Sequence, residues 1–576
     1  MELVPAGPSQ RPSEDFELWP PGRFRTVPAL STLFLWRVSP TDSRSRDCKC
    51  SACGLTNMKT KVERCMNHLK TCPKRDQIDP LVVAEARQQF AKTVAGEKVQ
   101  EKTARKIGQN EQKSSEIDIM LVELIAVNLL PVSLVEAEEL SAIIKEAFPF
   151  YKIPSRKKLS SRLIPRVAED ARKVAFDALK REPSYSLTLE CDAWTSVAGT
   201  SVVAITLTRH TGESYLLELS DASKERHTAE YLADLVANVL TAKEVPLKRI
   251  NCLVTDEASN MKRARELICQ NLDQDHIIHY RCMAHTFNLI IGSVCNHSKV
   301  KPYISKLVEL IRRICLNKYL LAHIKSNAQA PVKVVPTRWY SVANSIKAML
   351  DLHDDLLEVI ADANLRADNI AGIVRDDDFW TNLRNLFSYF KEISKMIGVA
   401  EASDSRLSNF FRSYLEFLKL LENMPITSLR NIVFEAAILH LGKTDMNLVM
   451  CAYALDPNHR LEYLTSSALE IVEFVSCTML IDMGYDDAVA SQLRNELVSY
   501  QRRVLRVDSF VDDFYEWWNK QNLKVLRKIG LRMAACHGSS ANTERIFSTL
   551  SSTITPSRNR LGLDLAFDLT SIRVLM

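Results

Sequence analysis

Ser186–Trp194 reads SLTLECDAW, and Arg249–Asn260 reads RINCLVTDEASN. Both stretches alternate or run apolar in the manner of β-strands. Each carries one carboxylate, Asp192 and Asp256, set among apolar residues or in a small-residue turn. A charge there is costly to hold without a purpose. Between them, TSVVAITLTRH (Thr200–His210) is β-branched and SYLLELSDAS (Ser214–Ser223) reads as a third strand. ERHTAEYLADLVANVL (Glu225–Leu240) then reads as an amphipathic helix, with Thr228 placed to cap it. The strand at 249–260 runs into a further helix from Met261.

The order β-β-β-α-β, with carboxylates on the first strand and just after the fourth, is that of an RNase H-like core. In such a core the first and fourth strands lie side by side and parallel, which sets Asp192 and Asp256 within reach of one pair of metal ions. A third acid, Glu544 in SSANTERIFS (Ser539–Ser548), lies nearly 290 residues beyond Asp256. Three carboxylates brought together by folding can hold two divalent cations, the arrangement that cleaves and joins phosphodiester bonds. Locally, Glu544 also reads as a helix-start carboxylate, with Ser539 or Ser540 capping a helix from Ala541.

At 576 residues the chain should hold several domains. Its 46% hydrophobic and 25% charged content is that of an ordinary globular protein. No apolar run approaches the ~20 residues of a membrane helix, so no membrane partner is expected. The acidic, proline-rich first residues do not read as a secretory signal. Many of the 14 cysteines stand alone in apolar stretches, which suits a reducing compartment better than a disulfide framework. Residues 44–113 carry 16 Lys/Arg against 8 Asp/Glu, so this segment is +8 and the remainder −3 of a total +5. Basicity concentrated in this way is expected of a segment that meets a polyanion.

That segment holds CKCSACGLTNMKTKVERCMNHLKTC (Cys48–Cys72). Cys50 and Cys53 form a C-x2-C pair, and His68 and Cys72 an H-x3-C pair after fourteen intervening residues. Two thiolates on a tight knuckle and two ligands one helical turn apart can complete a tetrahedron around Zn2+. So small a segment cannot bury enough apolar surface to fold alone, and the metal would supply the folding energy. Cys48 and Cys65 are spare thiols, and Cys48-x-Cys50 offers a competing pairing. The spacing resembles the BED-type zinc fingers found at transposase N-termini, which carry aromatic residues before the first cysteine; Trp36 lies near that place. Lys59, Lys61, Arg64 and Lys70 are the candidates for phosphate contacts to double-stranded DNA.

Cys282-x2-His285 opens a helix in HIIHYRCMAHTFNLIIGSV, and either supports an active-site wall or brings His285 to DNA. Arg338 and Trp339 in VKVVPTRWYSV would suit a site handling unpaired DNA, by phosphate contact and base stacking, or form a buried junction. Residues 117–181 and 345–530 are helical by pattern, the latter without evident chemistry.

LECDAWTS, VTDEASNM, YRCMAHTFNL, PTRWYSV, ALDPNHR and SSANTERIFSTLSSTITPSRNRL, in this order, resemble the hAT superfamily of DNA transposases. The resemblance implies a mostly helical protein: an α/β RNase H-like core interrupted by a large all-α insertion, behind a small zinc finger. It also implies that Asp192, Asp256 and Glu544 bind catalytic Mg2+ or Mn2+, with Cys282, His285, Arg338 and Trp339 near the active site. Cut-and-paste transposition in the nucleus would follow, by a homodimer or higher oligomer that binds element ends and target DNA. A transposase-derived DNA-binding protein without catalysis is the alternative. Glu257 follows the second Asp where an amide is commoner. The expected organisation is an atypical, disordered 1–43, a finger at 44–75, a basic linker at 76–116 and a helical domain at 117–181. The first part of the core follows at 182–344, the insertion at 345–529, and a core-completing dimerisation segment at 530–576.

Overall fold

A computed structural model describes residues 27–39, 42–56, 58–59, 61–195, 199–327, 331–334, 340–361, 368–425, 427–459, 464–486, 488–504, 510–554 and 561–575. The chain divides into two compact units, Met1–Asp118 with Glu138–Ile153, and Ile119–Ala137 with Pro154–Met576. It is mostly helical, with a mixed sheet in the second unit. No described helix is long and apolar enough to cross a membrane.

The first unit begins with a three-stranded antiparallel sheet, β1 (Phe34–Ser39), β2 (Asp42–Cys50) and β3 (Met58–Lys59), followed by a helix at Val62–Thr71. The finger therefore starts before residue 44. Phe34 pairs with Cys50 and Trp36 with Cys48, so residues expected to be disordered supply an edge of the fold. The reason is apolar: Val27, Leu30, Leu33 and Phe34 pack with Cys65, Met66 and Leu69 of the helix into one small core. Residues 1–26 lie outside the described residues. The basic segment expected as a linker forms a single helix, Pro80–Val127, which passes from the first unit into the second. Residues 138–153 cluster with the first unit, where the Tyr151 hydroxyl donates to Asp118 (2.5 Å), so 117–181 is not one helical domain.

The second unit is built on a five-stranded sheet of order β6-β5-β4-β7-β8, with β4 at Leu187–Thr195, β5 at Ser201–Arg209, β6 at Ser214–Asp221, β7 at Ile250–Thr255 and β8 at Ile278–Arg281. β4, β5 and β6 form an antiparallel meander, while β7 and β8 run parallel to β4. Parallel neighbours need crossovers, and the helices Ala229–Ala242 and Ser259–Leu272 provide them. The first starts at the expected cap, where Thr228 Oγ1 accepts from the Tyr231 N–H (3.2 Å). Strand alternation then divides β4. Leu187, Leu189 and Cys191 pack against Leu232, Val236 and Ala264 of the crossover helices. Thr188, Glu190 and Asp192 point to the other face.

That other face is covered from far along the chain. Val202, Ala204, Leu216 and Leu219 pack against Ile546, Phe547 and Leu550 of the helix Ala541–Thr553 and Ala566 of the helix Leu563–Leu575. Trp194 stacks on Phe547 with ring centroids 5.9 Å apart. Arg172 of the Ile164–Leu179 helix closes this layer on Asp568 (2.8 Å). Helices between Met283 and Ala534 form one apolar mass around Trp380, Phe390, Phe417 and Trp518, continuous with Cys252 and Val254 of β7 and Tyr280 of β8. Large buried side chains of this kind contribute roughly 1.5–3 kcal/mol each. The Trp518 indole donates to the Leu455 carbonyl (2.8 Å) and lies flush on Gly530.

Candidate active site and metal centre

Parallel pairing matches Glu190 of β4 with Val254 of β7. Two residues further along each chain, Asp192 and Asp256 emerge at the same end of the sheet. Asp192 Oδ1 accepts from the Ala193 N–H (2.8 Å), and Asp256 Oδ1 from the Ala258 N–H (3.1 Å), closing a turn after β7. Burial, then the negative charges of Asp256 and Glu544, holds the Asp192 carboxyl well above the usual carboxylate range. The three acids thus share one electrostatic neighbourhood despite their separation in sequence. Each is half-buried and keeps a face toward solvent.

Glu544 is carried there by a buried strap, residues 535–540. The Thr188 hydroxyl donates to the Ala535 carbonyl (2.9 Å) and the Tyr280 hydroxyl to the His537 carbonyl (2.6 Å). The Met283 N–H donates to the Gly538 carbonyl (3.0 Å), and the Gly538 N–H to the Ser405 carbonyl (3.2 Å). The Leu407 N–H donates to the Cys536 carbonyl (3.0 Å). An irregular buried segment needs such partners for its backbone, and here β4, β8 and the helical insertion all supply them. Gly538 permits the approach: a Cβ at that position would lie 2.6 Å from Ser405 Oγ and 3.1 Å from the Arg406 carbonyl oxygen.

The local cap expected at Ser540 does not form, since its side chain makes no hydrogen bond to the helix. Ser539 Oγ instead donates to the Ala400 carbonyl (2.5 Å) while accepting from the Ala541 N–H (3.3 Å). The helix is held by Glu190, a fully buried carboxylate that the sequence reading passed over. Glu190 Oε1 accepts from the Thr208 hydroxyl (2.7 Å) and the Asn542 amide (3.3 Å). Its Oε2 accepts from the Thr543 N–H (3.3 Å) and hydroxyl (3.1 Å). Burial pushes the Glu190 carboxyl up, and these four donors oppose that push. The signal was available: Glu190 is one strand repeat before Asp192 and so shares its face.

Cys282 and His285 stand beside the acids. Burial pushes the Cys282 thiol up to about 12, and the Glu544 charge adds to the effect. Burial holds His285 below its ordinary value, opposed by the Asp256 charge. A buried ion triad flanks Asp256: Glu257 receives Arg265 at 3.2 Å and Arg281 at 3.7 Å. Arg265 also donates to the Thr255 hydroxyl (2.8 Å) and the Asp256 carbonyl (3.2 Å). Arg338 and Trp339 lie outside the described residues.

Among the described residues, one group of potential ligand atoms lies entirely within 4.8 Å of one another: Cys50, Cys53, His68 and Cys72. The three carboxylates are more widely spread than that. In the finger, Cys50 Sγ and Cys72 Sγ are 3.9 Å apart, and Cys53 Sγ and His68 Nε2 3.4 Å. Tetrahedral Zn2+ at ordinary bond lengths requires S–S and S–N edges of about 3.8 and 3.6 Å, so the donor set fits. Burial holds His68 below its ordinary value, favouring the neutral ring that a metal needs. Gly54, at φ +73°, closes the knuckle between the first two ligands and β3. Cys48 does not compete for the site: it is buried, and its free thiol is hydrogen-bonded to that of Cys65. Phe34 meets the His68 ring edge-on at 6.1 Å, while Trp36, the aromatic singled out in the sequence, pairs with Cys48 across β1 and β2. Lys61, Arg64 and Lys70 are exposed along the helix and its start, while the Lys59 side chain lies outside the described residues.

Comparison with known proteins adds two family matches. A domain of unknown function (DUF659) matches residues 154–310, which covers β4 to β8 and both crossover helices. The hAT family C-terminal dimerisation region matches residues 496–574, which includes the strap, Glu544 and the final two helices. A protein of Talaromyces stipitatus, named "Putative transcriptional regulator tpeD", is 24% identical over 269 residues. That similarity covers 38% of this chain and 31% of the relative, so the chain spans about a third of its length. Together the two family matches support a hAT-family transposase-like protein, and the dimerisation region supports a homo-oligomer.

Proposed function

We propose that this hAT-family transposase-like chain is a nuclear DNA transposase, whose finger holds double-stranded element ends while an RNase H-like core cuts and joins strands. The convergence of Asp192, Asp256 and Glu544 at one end of the sheet carries the reading. The strand order β6-β5-β4-β7-β8, with β4 parallel to β7, supports the RNase H-like assignment. Asp192, Asp256 and Glu544 would hold Mg2+ or Mn2+, which supplies activation of the attacking hydroxyl and neutralises charge on the phosphate. The chain's own residues fix the acids in place: the Asp256 turn by Arg265, the Glu544 helix by the strap and Glu190. Arg338 and Trp339 are assigned the phosphate and an unstacked base of the flanking DNA. Zn2+ on Cys50, Cys53, His68 and Cys72 would keep the finger folded, with Lys59, Lys61, Arg64 and Lys70 on the DNA backbone.

A second reading keeps DNA binding and drops catalysis. The relative named as a transcriptional regulator favours it. Nicking of DNA carrying the parent element's ends, in Mg2+ or Mn2+, separates the two. The wild type should nick and Asp192→Ala should not; if both bind that DNA and neither nicks it, the enzyme reading fails.

A further inference from the structure

We propose that Glu190 is a positioning residue for Glu544: from strand β4 its carboxylate clamps the first turn of the helix that carries Glu544. The inference rests on the active-site reading above and deepens it. Three observations support it. The helix Ala541–Thr553 takes no cap from Ser540, and Ser539 accepts only from the Ala541 N–H, so the residues that follow in the first turn depend on other groups. Those groups converge on Glu190, which takes the Thr543 N–H and hydroxyl on one oxygen and the Asn542 amide on the other. The Thr208 hydroxyl from β5 ties the same carboxylate back into the sheet. Finally, the position is fully buried, and a buried carboxylate is a stabilising choice only when its lone pairs are filled.

The geometry links the clamp to the site. Glu190 is two residues from Asp192 on the same strand face, and Thr543 is the residue before Glu544. The chain path from one acid to the other through the clamp is therefore a few residues, whereas the covalent path is 352 residues from Glu190 to Asn542. An acceptor-only group suits four donors; an amide in its place would turn an NH2 toward one of the two pairs. The helix would lose its tether while its apolar face stayed packed. Site geometry must be held to about 0.5 Å, and a misplacement of about 1 Å can cost 10²-fold in rate.

The test uses the full-length, zinc-loaded protein with Glu190→Gln, and Thr543→Val as a milder variant that keeps the N–H. Hydrogen exchange of peptides spanning 541–553 reads the clamp, and Mn2+ titration by electron paramagnetic resonance reads the site. The expected result for Glu190→Gln is at least tenfold faster exchange in the first turn and at least tenfold weaker Mn2+ binding. Nicking should recover as Mn2+ is raised, which a loss of global stability would not produce. Unchanged exchange, or unchanged Mn2+ affinity in a folded variant, overturns the proposal. Should Glu190→Gln not fold, Thr543→Val decides by the same two readouts with smaller shifts. If wild type and Asp192→Ala titrate identically with Mn2+, the active-site reading falls instead, and exchange alone decides whether the clamp exists.

Discussion

Acid should release the strap through His537. This imidazole is 3% exposed, and its Nε2–H donates to the Arg209 carbonyl. Burial first, then the positive charges of His210, Arg406 and Arg545, lowers it to about 4, against the opposing effect of that hydrogen bond. The folded protein therefore keeps the ring neutral while the unfolded chain protonates it near the ordinary 6.5. Above pH 6.5 both states are neutral and His537 adds no slope. Below it the unfolded state binds the extra proton, so stability falls with pH until the folded ring titrates as well. The interval from 6.5 down to about 4 corresponds to roughly 3 kcal/mol for one proton. His440, also pushed down to about 4 by burial, adds a slope of its own. His537→Gln keeps a donor for Arg209 and cannot titrate, so it isolates the first share. Urea denaturation followed by tryptophan fluorescence between pH 7 and 4 should show the wild type losing roughly 3 kcal/mol more than the variant. Parallel pH profiles would refute the assignment.

Two perturbations elsewhere follow from packing and donor chemistry. Gly530→Ala would place a Cβ 2.1 Å from Trp518 Cδ2, so the indole must move and break its bond to Leu455. A loss of about 1–3 kcal/mol is expected by chemical denaturation, partly recovered when Trp518→Leu is added; full stability in the single variant would contradict the packing. Zinc removal should unfold the finger alone, since structural zinc contributes on the order of 10 kcal/mol and so small a core rarely more than about 5. Hydrogen exchange after chelation should expose residues 34–72 and leave β4 to β8 protected, and retained protection of the finger would count against a structural metal.

The sheet was legible in sequence because its signals are local. Period-two alternation in SLTLECDAW, β-branched residues in TSVVAITLTRH and a threonine cap before the crossover helix each depend on a few neighbours. The ligand spacing of the finger was legible for the same reason. Glu544 was not. Its flanking serines suggested a local cap, and Ser539 does accept from the Ala541 N–H, but it also donates to the insertion, and Ser540 makes no cap. The helix start is set by Glu190 and, through Ser539, by Ala400, partners that folding brings from more than 130 residues away. The N-terminal boundary failed differently: PALSTLFLW (28–36) lies in the stretch expected to be disordered, yet its apolar residues are what the finger helix buries against.

Glu257 shows how a departure from a motif can be settled by its neighbours. An acid beside Asp256 would seem to add a fourth negative charge to a crowded site. Its carboxylate faces Arg265 at 3.2 Å and Arg281 at 3.7 Å, and side-chain exposures of 2–11% keep water from screening the three. An amide there would leave two buried guanidiniums with neutral acceptors only, among them the Asp256 and His440 carbonyls, a costly arrangement. Both signs still reach the site: the Glu257 charge raises His285 while that of Arg281 lowers it. The arginine pair thus holds the Glu257 carboxylate beside Asp256. Arg265 at the same time fixes the backbone of Asp256 through its carbonyl. The acid at 257 and the arginines at 265 and 281 form one unit, and changing 257 to an amide should disturb Asp256 more than its own position.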